Sequence, residues 1–434
     1  MEIHVIDSLN PEDNAMLQAL YSRSSDSVTS HMEKVAETGS GKFMEKFYIG
    51  YGHRSIADCG SSTVFFENVS LLAAKAIQDN QLYSGQECST RYLDFQTREV
   101  IDPINNNESK AIMNEWLNFY SNSLEILNGH LKEQFPKPDD LDDNTYTKAI
   151  NARCFDIARG FLPCGITTNL SLHMNLRQMY EHLSALKYHP LMEVNKLAND
   201  SWVKLFEKYP HSFKSTFDAD QENYLAQSVN LCAYAVGPEE IEEPQINSSI
   251  DNETLCRAFT DLLSTRPKGS LIPKASKFFG DIRYEFNLDF GSYRDYQRHR
   301  GILTYAPLIN GKLGFHQWYI NQFPETYHKF INNLINIQFE NIRKLAENSN
   351  ISAEALQYYF PLGTLVRIGS IANLTNLVYW IELRSQKTVH PTLREITHWI
   401  GQFLTENYPT LKLYINYDKS DFTFKRGSQD IIEK

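Results

Sequence analysis

Residues 281–305 read DIRYEFNLDFGSYRDYQRHRGILTY, and this stretch decides how the second half of the chain folds. Across residues 284–290, aromatic and apolar side chains alternate with polar ones, which is the period-two pattern of a half-buried strand. Gly291 then breaks the strand, and Ser292 is a good N-cap for a short helix. We therefore predict a strand followed by a helix that ends at residues 298–300.

The basic triplet at residues 298–300, Arg-His-Arg, allows two interpretations. A helix C-terminus tolerates cations well, so an isolated triplet of this kind is most simply a solvated helix end. Guanidinium groups also match phosphate and the polarised edge of a heterocycle, and the histidine between them is a further donor. The second interpretation makes the triplet an anion site.

Length and composition predict a globular protein of roughly two or three domains, because 434 residues with 42% hydrophobic and 22% charged side chains can build sizeable cores. The net charge of −11 argues against a general nucleic-acid or membrane-surface binder. The sequence has neither a signal-like start nor an apolar run of membrane-spanning length, so we expect a cytoplasmic protein. Six scattered cysteines without a CxxC pair predict reduced thiols and no metal site.

The first half of the chain repeats the order of elements around the triplet. Residues 62–69 read as a strand, a helix follows it, and the polar residues 79–81 (Asp-Asn-Gln) stand where the second half has Arg-His-Arg. Pro361 follows Pro163 by 198 residues, and Asn373 follows Asn175 by the same 198 residues. Equal spacing over a helical stretch indicates an internal repeat.

The repeat predicts two similar α+β domains, at residues 1–235 and 252–434. Residues 234–251 between them are rich in Glu, Pro, Asn and Ser, as expected of a connector. Apolar residues spaced three and four apart predict long helices, at residues 111–135, 183–209 and 324–345. Alternation over residues 1–7 predicts a short strand.

Residues 87–92, Glu-Cys-Ser-Thr-Arg-Tyr, are similar to the Glu-x-Ser-x-Arg-Tyr stretch of flavin-dependent thymidylate synthases. Residues 52–55 resemble the Gly-His segment of that family, and residues 158–163 with 175–177 resemble its second half. The first half therefore matches along most of its length. The basic triplet that the family has ahead of the Glu-x-Ser-x-Arg-Tyr stretch is replaced by residues 79–81.

The second half resembles the same family with the opposite losses. It keeps the triplet at residues 298–300, but Thr-Tyr-Ala-Pro at residues 304–307 replaces the serine-arginine stretch. Arg384 stands eleven residues after Asn373, where the family has a substrate-contacting arginine, whereas the first half has Leu186 or Lys187 there. Because the family builds its sites at the interfaces of a homotetramer, the complementary losses imply one composite site per chain. They also imply a homodimer that forms a pseudo-tetramer of four similar domains.

The resemblance implies two tandem copies of the flavin-dependent thymidylate synthase fold, each a mainly antiparallel sheet with long helices. It implies methylation of dUMP to dTMP with methylene-tetrahydrofolate and NADPH through FAD. In such an enzyme the flavin performs the redox chemistry, and the protein positions the substrate and cofactor and stabilises developing charge. Negative charge that develops on the uracil oxygens is stabilised by fixed guanidiniums.

The resemblance also implies the roles of individual residues. It implies that Arg298 and Arg384 make the catalytic contacts to the uracil ring and the flavin. The substrate contacts are Glu87, Ser89, Thr90, Arg91, Arg159, Arg298 and Arg384. The implied contacts to FAD are His53, Ser55, Asn175, Arg177, His299 and Arg300. The isolated histidines are expected to be structural, namely His182, His189 and His390.

Two alternatives to dUMP methylation stay open. Cys88 and Thr90 around Ser89 would allow a changed pocket, so a related flavin-dependent enzyme could modify another pyrimidine nucleotide. Alternatively, both copies have lost activity, and the chain is a non-catalytic protein that binds flavin or nucleotide.

Overall fold

The computed structural model of the chain describes residues 8–24, 26–50, 53–213, 218–235, 237–238 and 240–428. The strand predicted at residues 1–7 lies outside the described residues. The described part combines long helices with antiparallel strands, which confirms the predicted α+β class.

Helices predominate over strands among the described residues. The α-helices are α1 (Pro11–Tyr21), α2 (Val28–Thr38), α3 (Gly41–Phe43), α4 (Leu71–Gln78), α5 (Asn107–Gln134), α6 (Asp143–Ala158), α7 (Leu176–Leu186), α8 (Met192–Lys208), α9 (Ala219–Cys232), α10 (Asn252–Thr265), α11 (Phe290–Tyr296), α12 (Gln317–Asn321), α13 (Glu325–Ser349), α14 (Ala353–Leu356), α15 (Leu374–Arg384) and α16 (Pro391–Asn407). The strands are β1 (Ser61–Ser70), β2 (Thr167–Asn175), β3 (Gln245–Ser248), β4 (Asp281–Asp289), β5 (Leu303–Thr304) and β6 (Leu365–Asn373). A π-helical segment covers Met44–Gly50, and short 3-10 helices cover Arg54–Cys59, Arg159–Phe161, Lys274–Phe279, Gln357–Tyr359 and Phe424–Ser428.

The chain forms two compact units that interleave along the sequence. Unit 1 is drawn from Met1–Glu67, Ala73–Glu87 and Asn169–Ala233, and unit 2 from Asn68–Leu72, Cys88–Thr168 and Tyr234–Lys434. A long part of the first half therefore belongs to the same unit as the second half.

Unit 1 holds most of the pair of strands β1 and β2, which form a two-stranded sheet, together with helices α1, α2, α7, α8 and α9. The helix predicted over residues 183–209 is two helices, α7 and α8. Pro190 lies between them and has no backbone N–H to continue a helix.

Unit 2 holds a four-stranded sheet in the order β3-β4-β6-β5, in which neighbouring strands pair antiparallel. The long pair β4 and β6 runs from Asp281 opposite Asn373 to Asp289 opposite Leu365. The alternation predicted for β4 is confirmed, because its aromatic and apolar side chains at 284, 286 and 288 are at most 1% exposed. Each such burial contributes about 1.5–3 kcal/mol to folding.

Two local predictions were wrong. Asp289, not Ser292, caps α11: its Oδ2 accepts the Ser292 N–H at 2.8 Å. A carboxylate one turn earlier reaches the free N–H groups at the helix start, and this places Ser292 inside the helix. The connector at residues 234–251 also contains strand β3, which forms the edge of the sheet by antiparallel pairing with β4.

Two segments of unit 2, residues 160–165 and 358–363, pair with each other, and we call this pair the proline seam. Pro163 lies opposite Pro361 in an antiparallel bridge. The bridge is flanked by four backbone hydrogen bonds, from N–H to carbonyl: Cys164 to Phe360 (2.8 Å), Leu362 to Leu162 (2.9 Å), Gly165 to Tyr358 (2.8 Å) and Gly363 to Gly160 (2.7 Å). The four bonds form two pairs that are equivalent under the 198-residue repeat. The bond from Cys164 to Phe360 corresponds to the bond from Leu362 to Leu162, and the bond from Gly165 to Tyr358 corresponds to the bond from Gly363 to Gly160.

The bounds of several elements repeat at the same spacing. β6 and α15 begin and end 198 residues after β2 and α7, and the 3-10 helix Gln357–Tyr359 lies 198 residues after Arg159–Phe161. Asn175 caps α7 by accepting the Gln178 N–H at 2.8 Å, and Asn373 caps α15 by accepting the Asn376 N–H at 3.1 Å.

Candidate functional site

Arg91 lies in unit 2 and forms a two-pronged ion pair with Asp156 of helix α6. Its Nε donates to Oδ1 at 2.6 Å and its Nη2 to Oδ2 at 3.1 Å. Burial opposes the charge on Arg91, but the neighbouring Asp156 carboxylate outweighs burial and raises the pKa of Arg91. Burial likewise opposes ionisation of Asp156, yet Arg426 and Arg91 hold the pKa of Asp156 well below its ordinary value. Both groups therefore stay charged.

Arg426, from the C-terminal part of the chain, joins the same carboxylate. Its Nη1 donates to Asp156 Oδ2, and its guanidinium carbon lies 5.2 Å from the centre of the Tyr92 ring. Cations over aromatic faces are held there by the charge distribution of the ring. Asp156, only 1% exposed, thus carries two guanidiniums.

The residues just before Arg91 make their own contacts in unit 2. The Ser89 hydroxyl accepts the Arg91 N–H at 3.2 Å, which closes the loop locally. The buried Thr90 hydroxyl accepts Nη1 of Arg294 at 3.2 Å. The loop of the first half is thereby held against helix α11 of the second half.

Arg159, only 2% exposed, lies beneath α11. Its Nη2 donates to the Ser292 hydroxyl at 3.2 Å, and its Nη1 lies 3.8 Å from Oδ2 of Asp295. Ser292 also lies 3.2 Å from Nδ1 of His390, whose Nε2 is 3.2 Å from the Asp156 carbonyl oxygen. Since a carbonyl only accepts, Nε2 carries the hydrogen, and burial keeps the pKa of His390 well below its usual value. The imidazole is a neutral structural partner.

Asp295 is at the centre of the other guanidiniums. Burial opposes its ionisation, but the charges of Arg159, Arg91, Arg384 and Arg298, in that order of strength, lower the pKa of Asp295 below its usual value. Nη2 of Arg384 also donates to the Asp295 carbonyl oxygen at 3.3 Å. Arginines from both halves of the sequence therefore stabilise the charge of one carboxylate.

The basic triplet lies in a turn just after α11, which ends at Tyr296. His299 Nε2 accepts a hydrogen bond from Nε of Arg384 at 2.7 Å. Burial first, and then the charge of Arg384, lowers the pKa of His299 to about 3, so the ring is neutral at physiological pH. Arg298 and Arg300 are exposed.

We call the five guanidiniums that act on Asp156 and Asp295 the arginine cluster: Arg91, Arg159, Arg298, Arg384 and Arg426. Arg159 also acts on the buried carboxylate of Asp289, so five guanidiniums face three carboxylates and leave a formal excess of two positive charges. Forked guanidinium donors are well suited to a phosphate. The excess positive charge makes the arginine cluster of unit 2 a candidate anion site.

Several predicted site residues lie in unit 1 instead. Glu87 is buried there, 3.0 Å from the buried Nζ of Lys75, and Nε2 of Gln78 donates to it at 3.0 Å. His53 and Ser55 are exposed at the start of the 3-10 helix Arg54–Cys59.

Arg177 of unit 1 is held by that same 3-10 helix. Its Nε donates to Asp58 Oδ1 at 2.6 Å, and its Nη1 lies 3.9 Å from Oε1 of Glu181. Neither Nη atom has a hydrogen-bond acceptor within the described residues. Asn175, two positions earlier, uses its side-chain oxygen as the helix cap.

Three charged residues of the site were missed from the sequence. Asp156 stands three positions before Arg159, and Asp295 three positions before Arg298, so each pair shares a helical face or turn. That spacing was an available signal. Arg426 has no such neighbour, and only the tertiary structure brings it to Asp156.

Neither a metal centre nor a membrane span is found in the described part of the chain. Within it, no group of three or more His, Cys, Asp and Glu side chains is arranged to hold a metal ion. No helix among the same residues has the length and apolar character needed to cross a membrane.

Comparison with known proteins gives matches over both halves. Residues 4–211 match the model of a family described as thymidylate synthase complementing protein. A UPF0159 protein of Chlamydia muridarum is 23% identical over an alignment 454 residues long, which covers 90% of this chain and 84% of the relative. UPF0159 proteins of Chlamydia pneumoniae and Thermoplasma acidophilum are also 23% identical, covering 97% and 96% of this chain and 87% and 98% of the relatives.

Proposed function

We propose that the protein is a flavin-dependent enzyme that methylates dUMP to dTMP, because residues 4–211 match the model of the family described as thymidylate synthase complementing protein. The arginine cluster carries this proposal. Arg91 and Arg159 come from the first half and Arg298 and Arg384 from the second, and all four act on the single carboxylate of Asp295.

The charge of the cluster fits a nucleoside monophosphate. A phosphate monoester carries about −1.5 to −2 charge at pH 7, which the excess positive charge of the cluster offsets. Ser89, Arg91 and Arg159 are the proposed phosphate contacts. Arg298 and Arg384 are the proposed ring contacts, where fixed guanidiniums stabilise charge that develops on the uracil oxygens.

Two tandem copies of one fold explain how the site is divided between the halves. The matched bounds of β2 with β6 and of α7 with α15 support this proposal. The proline seam supports it further, because exchanging the two segments maps its hydrogen bonds onto each other. Equivalent positions Gly165 and Gly363 are both too crowded for a side chain, since an added Cβ would lie 2.6 Å from the Ile101 carbonyl oxygen and 2.3 Å from the Phe315 ring, respectively.

The residues of unit 1 fit the anionic part of FAD. The two Nη atoms of Arg177 are available donors on a side chain that is one-third exposed. His53 immediately precedes the adjoining 3-10 helix, and Ser55 lies on it. Such donors suit a diphosphate. We propose these residues and Asn175 as FAD contacts of unit 1. In unit 2, His299 and Arg300 are separately proposed as FAD contacts. When bound, FAD reduced by NADPH would supply the hydride, and methylene-tetrahydrofolate the carbon.

The direct test is a tritium-release assay. The purified protein is expected to bind FAD, with a flavin absorbance spectrum. It should then release tritium from dUMP labelled at the reacting ring carbon when NADPH and methylene-tetrahydrofolate are supplied. Flavin binding without release would favour modification of another pyrimidine, and a protein that cannot be reconstituted with FAD would contradict both enzyme proposals. Heat-denatured protein is the control.

A composite site also predicts a stoichiometry. Calorimetric titration with dUMP should give one site per chain, and light scattering should give a homodimer of the 50.2 kDa chain. One site per chain is expected because the Ser89–Arg91 loop occurs only in the first half of the sequence and the basic triplet only in the second. Two equivalent sites per chain would contradict the composite site, and a fully active monomer would contradict the proposed homodimer.

A further inference from the structure

The imidazole of His299 is hydrogen bonded on one of its two ring nitrogens. Its Nε2 lies 2.7 Å from Nε of Arg384. Its Nδ1 has no hydrogen-bond partner in the described part of the chain, and this atom is not buried, since the ring is partly exposed. One nitrogen of the ring is therefore engaged by the protein, and the other is accessible to a ligand.

The partner of Nε2 determines which ring nitrogen carries the hydrogen. A guanidinium only donates hydrogen bonds, so Nε2 of His299 must accept and carries no hydrogen. The single hydrogen of the neutral ring is then on Nδ1. A doubly protonated ring is disfavoured, because its Nε2–H would point at the donor Nε–H of Arg384. The low pKa of His299 agrees with this, and Asp295 and Arg298 are the other charged groups that act on the ring.

The fold also holds the ring and its partner in place. Arg384 is the last residue of α15, and its Nη2 donates to the Asp295 carbonyl oxygen at 3.3 Å. Trp380, one helical turn earlier and 0% exposed, packs edge-on against the His299 ring, with 6.2 Å between the ring centres and 74° between the ring planes. The His299 backbone N–H donates to the Tyr296 carbonyl oxygen at 3.0 Å. The orientation of the imidazole is thus fixed together with its tautomer.

We propose that Arg384 is a positioning residue for His299, and that it makes the Nδ1–H of His299 a permanent donor to an acceptor oxygen of the flavin cofactor. This rests on the proposed function, which assigns His299 to FAD. A ring free to change tautomer would offer that donor for part of the time only, and a ring with the ordinary pKa of about 6.5 would change its charge near neutral pH. Arg384 prevents both, so His299 acts as a donor and not as a general acid or base. Nη1 of Arg384 takes no part in these bonds and remains for the proposed contact to the substrate ring.

The first test reads the tautomer directly, by ¹⁵N NMR of the full-length protein labelled with ¹⁵N-histidine and free of flavin. The His299 signals are assigned by their loss in His299→Phe. Wild type should carry hydrogen on Nδ1 alone from about pH 5 to pH 8, the range in which an ordinary histidine titrates. Arg384→Met, which lacks the donor, should allow hydrogen on either nitrogen and raise the pKa of the ring. Arg384→Lys should keep the wild-type tautomer, because an ammonium group also only donates.

The second test measures FAD binding by flavin fluorescence, without nucleotide, so that the proposed substrate contact of Arg384 does not enter. His299→Phe should weaken FAD binding by about tenfold, the effect of losing one hydrogen bond. Arg384→Met should weaken it by at least about threefold, and the double variant by no more than His299→Phe alone, because both changes remove the same donor. Arg384→Lys should remain within about twofold of wild type, since it retains a donor to Nε2. Arg343→Met, at an exposed arginine of α13, is the matched control and should bind FAD as wild type does.

The two possible positions of the acceptor oxygen are separated by riboflavin, which has the flavin ring carbonyls but no phosphate. Weaker binding of both FAD and riboflavin by His299→Phe supports the proposal and places the oxygen on the ring. Weaker binding of FAD alone supports it and places the oxygen on the diphosphate.

The outcomes that overturn the proposal are distinct from failure of the proposed function. Hydrogen on Nε2 of His299 in wild type overturns it, and so do unchanged FAD binding by His299→Phe and additive losses in the double variant. In each of these cases a wild-type protein that binds FAD leaves the proposed function standing. A wild-type protein that does not bind FAD overturns both. If thermal unfolding shows that Arg384→Met does not fold, the wild-type tautomer and the binding of FAD by His299→Phe decide the proposal.

Discussion

Replacing Arg298 by alanine is expected to weaken dUMP binding by about 100-fold or more while leaving the protein folded. Arg298 is exposed in the turn after α11 and acts on Asp295 beside Arg384. A hydrogen bond to a charged group contributes about 1.5–3 kcal/mol, and a forked guanidinium makes two. Exposed arginines contribute little to folding, so the free energy of unfolding should change by less than about 1 kcal/mol.

Calorimetry with dUMP and thermal unfolding measure the two effects of Arg298→Ala. Arg343→Ala is the matched control, because Arg343 is an exposed arginine of α13 that pairs with Glu340. Its dUMP affinity should equal that of wild type. Wild-type affinity in Arg298→Ala would remove the triplet from the substrate site.

Replacing Asp156 by alanine should have the largest effect on stability. The 1%-exposed carboxylate balances the guanidiniums of Arg91 and Arg426, and its loss leaves two buried cations side by side. Breaking a buried ion pair by removing one partner costs about 3–5 kcal/mol. Urea unfolding measures this, and dUMP affinity should fall as well, because Arg91 loses its orientation.

The control for Asp156→Ala lies on the same helix. Asp143 at the start of α6 is 91% exposed, and Asp143→Ala should cost less than about 1 kcal/mol. The folded-state pKa of Asp156 is depressed. Its stabilising contribution is therefore present above the pKa of an unfolded aspartate, about 4, and is lost as pH falls through the folded value. The stability difference between wild type and Asp156→Ala should shrink below about pH 4. An equal difference at pH 3 and pH 7 would contradict this assignment.

Local sequence patterns were sufficient for much of the fold. The alternation in residues 284–290 predicted β4 because one face of that strand is buried. The helices predicted at residues 111–135 and 324–345 are α5 and α13, whose apolar residues recur at helical spacing. Strand β3 was missed because it is an exposed edge strand held by backbone pairing, which leaves no apolar signal.

The site was predictable only where a residue matched a motif. Arg91, Arg159, Arg298 and Arg384 were predicted to share one site, and all four lower the pKa of Asp295 in unit 2. Their role as substrate contacts stays a prediction. The ion-pair partners that hold Arg91 in place could not be predicted from a sequence motif. Asp156 and Arg426 are 270 residues apart, and a buried ion pair has no sequence periodicity to reveal it.

The proline seam also affects the stage of folding at which the chain can bind a ligand. Its hydrogen bonds join segments 198 residues apart, and closing a loop of that length costs roughly 5 kcal/mol of chain entropy before any bond compensates for it. Such distant contacts form late. Arg159 immediately precedes one strand of the seam, and Arg384 lies beyond the other. The proposed phosphate contacts all lie in the first half of the chain and the proposed ring contacts, Arg298 and Arg384, in the second. The proposed nucleotide site should therefore be complete only after both halves have been made and the seam has formed.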